Sequence, residues 1–152
     1  MRIREIVAAK SRAAAGETGA PPTVVTVRPD ASVTELLGLL AEHNVGALVV
    51  SSDGRTVDGI VSERDVVRRL HADPDTLSST VEAIMTRDVH TCPPDTSLDE
   101  LMGEMTRRRF RHVPVVDDGV MIGIVSIGDV VKHKIDALEF ERDQLDSYVH
   151  QT

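Results

Sequence analysis

The chain has 152 residues, 41% of them hydrophobic but only 2% aromatic, and a formal charge of −8. That balance disfavours nucleic acid, whose phosphates call for a basic surface, and no apolar run approaches transmembrane length, so no membrane role is expected. The start, Met1-Arg2-Ile3-Arg4-Glu5, lacks an apolar signal segment, and the lone Cys92 rules out an internal disulfide and fits a reducing compartment, read as the cytoplasm.

Residues 2–9 are predicted as a short helix with Ile3, Ile6 and Val7 on one face. Residues 11–23 are small and polar, end in Pro21-Pro22, and are predicted as a mobile loop. Val24 to Val27 reads as a short strand, broken by Pro29-Asp30. Ser32 and Glu35 make a Ser-x-x-Glu capping box, and Val33, Leu36, Leu37 and Leu40 follow at helical spacing to about His43-Asn44. Val45 to Val50 is a continuous apolar strand of the kind buried on both faces. Asp53-Gly54 marks a hairpin turn, Val57 to Val61 the return strand, and Ser62 the start of another helix. Residues 71–80 are a polar linker.

The pattern then restarts. Val81 to Met85 echoes the opening helix, Val89 to Cys92 is the strand, Pro94-Asp95 the break, and Ser97 with Glu100 the second capping box. Leu98, Leu101, Met102 and Met105 repeat the apolar stripe. Val113 to Val116 is the next strand, Asp118-Gly119 the turn, and Met121 to Val125 the return. Pro29 and Pro94, Ser32 and Ser97, Glu35 and Glu100, and Gly54 and Gly119 all lie 65 residues apart. Gly59 and Gly123, Ser62 and Ser126, and Asp65 and Asp129 lie 64 apart. A constant register of this kind identifies an internal repeat. The predicted organisation is repeat 1 over residues 1–70, a linker over 71–80, repeat 2 over 81–134 and a helical extension over 135–152.

The fold class is α+β. A helix joins the first two strands of each repeat, which favours parallel pairing, and the hairpin that follows is antiparallel. Each three-stranded mixed sheet is left with one apolar face, and a unit this small gains from burying it on its twin. The last helix, from about Asp129 to His150, carries Val131, Ile135, Leu138, Leu145 and Val149 in a heptad seam, with Arg142 in the remaining position. The seam can lie on the chain's own surface or on a second copy, and the second reading is adopted.

Each repeat resembles the cystathionine-β-synthase-type (CBS) domain, and the pair resembles a stand-alone Bateman module. The resemblance rests on Arg111 to Val116, Asp118-Gly119 and Gly123 to Asp129 in the second repeat, and on Asn44 to Val50 and Gly59 to Asp65 in the first. Val49 stands where the family often has proline. The resemblance implies two βαββα units with pseudo-twofold symmetry, sheets face to face and helices outside, commonly as a homodimer. It also implies binding of an adenosine-containing ligand (AMP foremost, with ATP, ADP, NAD(H) or S-adenosylmethionine as others) and regulation of an unnamed partner protein.

A serine at a helix start lies beside free N–H groups that favour anions, and an aspartate one turn on can accept from a ribose diol. The resemblance implies that Ser126 and Asp129 contact ribose-phosphate in one site, and Ser62 and Asp65 in the other. The same Ser-x-x-Asp spacing is also a helix cap, and the two roles are compatible. The resemblance further places adenine against Ala47 and Leu48 in one slot and Val113 and Pro114 in the other, with Thr26 and Val89 as weaker candidates; ordinary core packing is the competing reading. Arg111 and His112 fall where the family often binds phosphate. They adjoin the basic cluster Arg107-Arg108-Arg109, which can hold a small anion or simply complement a helix C-terminus. Arg64 can reach phosphate, but its counterpart is Gly128, so the two sites are expected to differ.

The six histidines are dispersed without metal-ligand spacing, and no nucleophile elbow or P-loop occurs, so neither a metal site nor catalysis is expected. The leading expectation is therefore a regulatory nucleotide-binding module. The alternative is an interaction or scaffold protein that works through its dimer and C-terminal helix surfaces.

Overall fold

The structure, a computed structural model, describes residues 1–15 and 24–150. The elements are α1 (Ile3–Ala15), β1 (Thr26–Val27), α2 (Val33–His43), β2 (Ala47–Val50), β3 (Gly59–Ser62), α3 (Glu63–Ala72), a 3-10 turn (Pro74–Ser78), α4 (Val81–Ile84), α5 (Leu98–Arg108), β4 (His112–Asp117), β5 (Val120–Ser126) and α6 (Ile127–His150). α1 is longer than the sequence led us to expect. Residues 11–15, assigned to a mobile loop, are helical, and 16–23 lie outside the described residues.

Local chemistry sets these boundaries. Ser32 Oγ accepts from the Glu35 N–H at 3.1 Å and a Glu35 carboxylate oxygen accepts from the Ser32 N–H at 3.3 Å, which is the predicted capping box. At the start of α5, Ser97 Oγ accepts from the Glu100 N–H at 3.1 Å. α2 ends at Asn44, held in the left-handed region at φ 51°, a conformation asparagine tolerates well.

In the first repeat β1 pairs parallel with β2, and β2 antiparallel with β3, as the crossover helix and hairpin require. In the second repeat only β4 and β5 form a sheet. The strand expected over Val89 to Cys92 shrinks to one parallel bridge between Cys92 and Val115. Two causes are covalent: Pro93 and Pro94 follow Cys92 directly, and neither has an N–H to extend the ladder.

Each repeat has its own core. One gathers Val33, Leu36, Leu48, Val61, Val81 and Ile84; the other gathers Ile3, Ile6, Leu101, Met105, Val113 and Val125. The sheets face each other and the helices lie outside. The short opening helices are exchanged between the units. α1 opens the first repeat yet buries Ile3 and Ile6 in the second, while α4 opens the second and buries Val81 and Ile84 in the first. The backbone hydrogen bonds are mirrored. Ile3 N–H donates to Thr96 O and Arg4 N–H to Pro94 O; Val81 N–H donates to Ala31 O and Glu82 N–H to Pro29 O.

The repeated glycines make this exchange possible. A Cβ on Gly59 would lie 2.7 Å from Met85 Sδ and 2.8 Å from Thr86 O, just past the end of α4. A Cβ on Gly123 would lie 3.0 Å from a methyl of Val7 on α1. A Gly59→Ala variant is therefore expected to lose about 1–3 kcal/mol through overpacking. Gly38→Ala, inside α2 with nothing within 4 Å of the new methyl, is expected to gain up to about 1 kcal/mol. Urea midpoints of the two variants should move in opposite directions.

Candidate functional site

Two cavities lie between the repeats, and they are unequal. The larger, about 550 Å³, is built around the N-terminus of α3. Of the residues singled out in the sequence, Ala47, Ser62, Arg64, Asp65, Val89, Arg111 and His112 all line it. Ser62 ends β3 and caps α3. Its Oγ accepts from the Asp65 N–H at 3.2 Å, while Asp65 Oδ2 accepts from the Ser62 N–H at 2.8 Å and the hydroxyl at 3.0 Å. The capping and binding readings are thus both open to this pair, because Asp65 Oδ1 takes no hydrogen bond from a described residue.

The wall of this cavity is rich in cations. Arg64 and Arg68 come from α3, and Arg109 and Arg111 from the turn before β4. Glu63, Asp65 and Asp88 stand among them. Arg109 is held at φ 60°, a left-handed conformation that costs a non-glycine residue about 1–2 kcal/mol, and it ends α5 as Asn44 ends α2. Phe110 and His90 stack at 5.1 Å between ring centroids and also line the cavity. Arg68, Asp88, His90 and Phe110 escaped the sequence reading. Arg68 lies one turn beyond Arg64 on α3, and that spacing was the available signal.

The smaller cavity, about 280 Å³, lies under α1. Val7, Lys10 and Ser11 cover it, and Val24, Val25, Val45, Leu48 and Ile122 supply apolar walls. Ala47 lines both cavities. Ser126 and Asp129 form the same reciprocal cap as their twins, at 2.8 and 3.1 Å, but neither lines this cavity. Lys10 stands between. Its Nζ donates to Asp129 Oδ2 and to the Ile124 carbonyl, both at 2.7 Å. No sequence signal singled out Lys10, because the opening helix was expected to end at residue 9.

Three of the expected slot residues lie away from both cavities. Val113 is fully buried in the core of the second repeat and lines neither cavity. Pro114 is buried in β4, where its carbonyl accepts from the Cys92 N–H. As neighbours in a strand they point to opposite faces, and both are buried because β4 is covered on both sides. Thr26 lies in β1 on a separate shallow surface with Arg28 and Glu35; Val24 and Val25 take the cavity positions instead. The repeat register held this answer, since the residue 65 before Val89 is Val24.

Charge follows geometry. Burial pushes the Asp129 carboxyl up, but the hydrogen bonds from Lys10 and Ser126 and the Lys10 charge outweigh it, leaving its pKa below the ordinary 3.8. Burial and the nearby Lys10 push His112 below the usual histidine range, with Asp129 and Glu63 opposing, so its imidazole is neutral at pH 7. A depressed carboxylate contributes stability above its unfolded pKa and loses it as pH falls through the folded value. Asp129→Asn is therefore expected to lower stability near neutral pH and to flatten the loss of stability below about pH 4. Urea unfolding of both proteins across that range checks it.

Among the described residues no helix is long and apolar enough to cross a membrane. The sequence profile of the CBS domain matches residues 21–72 and 81–136, the two repeats. The mitochondrial CBS domain-containing protein CBSX3 of Arabidopsis thaliana is 38% identical over 125 residues; the match covers 79% of this chain and only 61% of that protein's length. The crystal structure of the CBS-domain containing protein ATU1752 of Agrobacterium tumefaciens superposes with a TM-score of 0.77 at 38% identity, covering 88% of this chain and 99% of that one. CBSX2, solved in complex with AMP, superposes with a TM-score of 0.65 at 31% identity, covering 75% of this chain and 89% of that one. With both repeats matched and the fold shared, this chain belongs to the CBS domain family as a tandem pair.

Proposed function

We propose that this CBS pair is a regulatory module that binds an adenine nucleotide in the larger cavity and passes energy or redox state to a partner, with no chemistry of its own. One observation carries the reading. The cavity joins a helix N-terminus, an unused Asp65 oxygen and four arginines in a protein whose formal charge is −8. Asp65 would take the ribose hydroxyls, and Arg64, Arg68, Arg109 and Arg111 the phosphates. Ala47 and Val89 offer apolar contact for the base. The AMP complex of CBSX2 supports an AMP-type ligand. ADP, ATP, NAD(H) and S-adenosylmethionine are the other candidates.

Two further points belong to this reading. α6 leaves Val131, Ile135, Leu138 and Leu145 between 46% and 66% exposed, which supports a homodimer seated on this seam or a partner docked there. The same surface is what the alternative interaction-protein reading would use. The Cys92 thiol is buried and pushed up to about 11, chiefly by burial, so it suits a reducing compartment such as the cytoplasm and not a redox role.

Ligand-dependent melting separates the two readings. At a hundred times its dissociation constant a bound nucleotide should add about 2.7 kcal/mol of stability. Asp65→Asn should weaken that nucleotide at least tenfold, the scale of a lost charge-assisted hydrogen bond. If AMP, ADP, ATP, NAD(H) and S-adenosylmethionine all leave the wild-type melting temperature unmoved, the nucleotide reading is wrong.

A further inference from the structure

The two opening helices are docked alike but differ in length. α4 ends at Ile84, whereas α1 continues eight residues past Val7 to Ala15. In the first unit the chain after α4 leaves the helix, and Thr86, Asp88 and Val89 form an open wall of the larger cavity. In the second unit the added turns of α1 bring Lys10 and Ser11 over the smaller cavity. The repeat therefore builds two related recesses, and helix length covers one of them.

Lys10 does more than cover. Its ammonium bonds the Asp129 carboxylate and the Ile124 carbonyl, each at 2.7 Å. The pair is partly shielded, with side-chain exposures of 40% for Lys10 and 23% for Asp129. Asp65, the twin of Asp129, has no ion pair among the described residues. α1 is held in place by Ile3 and Ile6, both fully buried, and by the tight approach of Val7 to Gly123. The ammonium is thus a tethered competitor. Tethering over a short span gives an effective concentration of about millimolar or more, against which a free ligand must compete.

We propose that Lys10 decides which recess takes nucleotide: covering the smaller cavity and pairing with the Asp129 carboxylate beside it, its ammonium competes with a ribose diol for that carboxylate, while Asp65 has no ion pair among the described residues. The inference rests on the reading of the two aspartates as ribose acceptors given above. Lys10 is a specificity-determining residue on this account, and the inequivalence of the sites comes from it more than from the exchange of Arg64 for Gly128. Gly128 is exposed and would meet only Ser126 Oγ, at 3.6 Å, if it carried a Cβ.

Calorimetric titration of the full chain with AMP tests this. Lys10→Met keeps the apolar stem and removes the charge. The wild type is expected to bind one AMP per chain and Lys10→Met two, with the second event at least tenfold tighter than any second event in the wild type. Lys10→Arg, which keeps a cation, should behave as the wild type. If the wild type binds no AMP and Lys10→Met binds one, the function proposed for the first cavity fails and the role of Lys10 stands. If Lys10→Met takes up no more AMP than the wild type, or binds it more weakly, the role of Lys10 is overturned. Lys10→Gln, measured identically, replaces Lys10→Met if that variant does not fold.

Discussion

The exchange of the two opening helices is the constraint on which the rest of the molecule depends. Each repeat lacks one wall of its core, and the wall is supplied by the helix that opens the other repeat. Ile3 and Ile6 complete one core and Val81 and Ile84 the other. Burying each such side chain contributes about 1.5–3 kcal/mol, so neither unit closes its core without the other half of the chain. The mirrored hydrogen bonds from Ile3 and Arg4, and from Val81 and Glu82, satisfy first-turn N–H groups that no helix can satisfy internally. Gly59 and Gly123 are small for the same reason: a side chain at either would push the exchanged helix away.

From that symmetric frame the molecule departs in the places that concern ligands. The frame puts a Ser-x-x-Asp cap at the start of both α3 and α6, and Ala47 between the cavities. α1 then runs on where α4 stops, and one recess is lined by arginines while the other is walled by valines and bridged by a lysine. His112 stands near both, its neutral imidazole influenced by Lys10 and Asp129 on one side and Glu63 on the other. Duplication supplies the scaffold for two recesses; unequal helix ends give them different linings.

Much of this was legible in the residues. The Ser32 cap, the hairpins and the strand-to-helix junctions at Ser62 and Ser126 follow from short-range chemistry and appear where the sequence put them, while the continuously buried strand expected over Val45 to Val50 begins only at Ala47, with Val45 exposed. The missing ladder beside β4 is also local, since Pro93 and Pro94, neither with an N–H, follow Cys92 directly. Thr26 lies off both cavities, and the residue in register with Val89 at the smaller one is Val24. Val113 and Pro114 line neither cavity, and an apolar strand residue reads the same whether it faces a ligand or a core.

The sequence by itself determined the duplication, the element order and the caps, because each depends on neighbours within a few residues or on a constant offset between copies; Arg111 and His112 were singled out only by the resemblance to the family, and the fold brings them to the same cavity as Ser62, Arg64 and Asp65. Only the tertiary structure decided which helix closes which core, and that Lys10 meets Asp129 across 119 residues of chain. Those contacts depend on how far a helix runs and on which face of the other repeat it lies, and neither is written in the spacing of nearby residues.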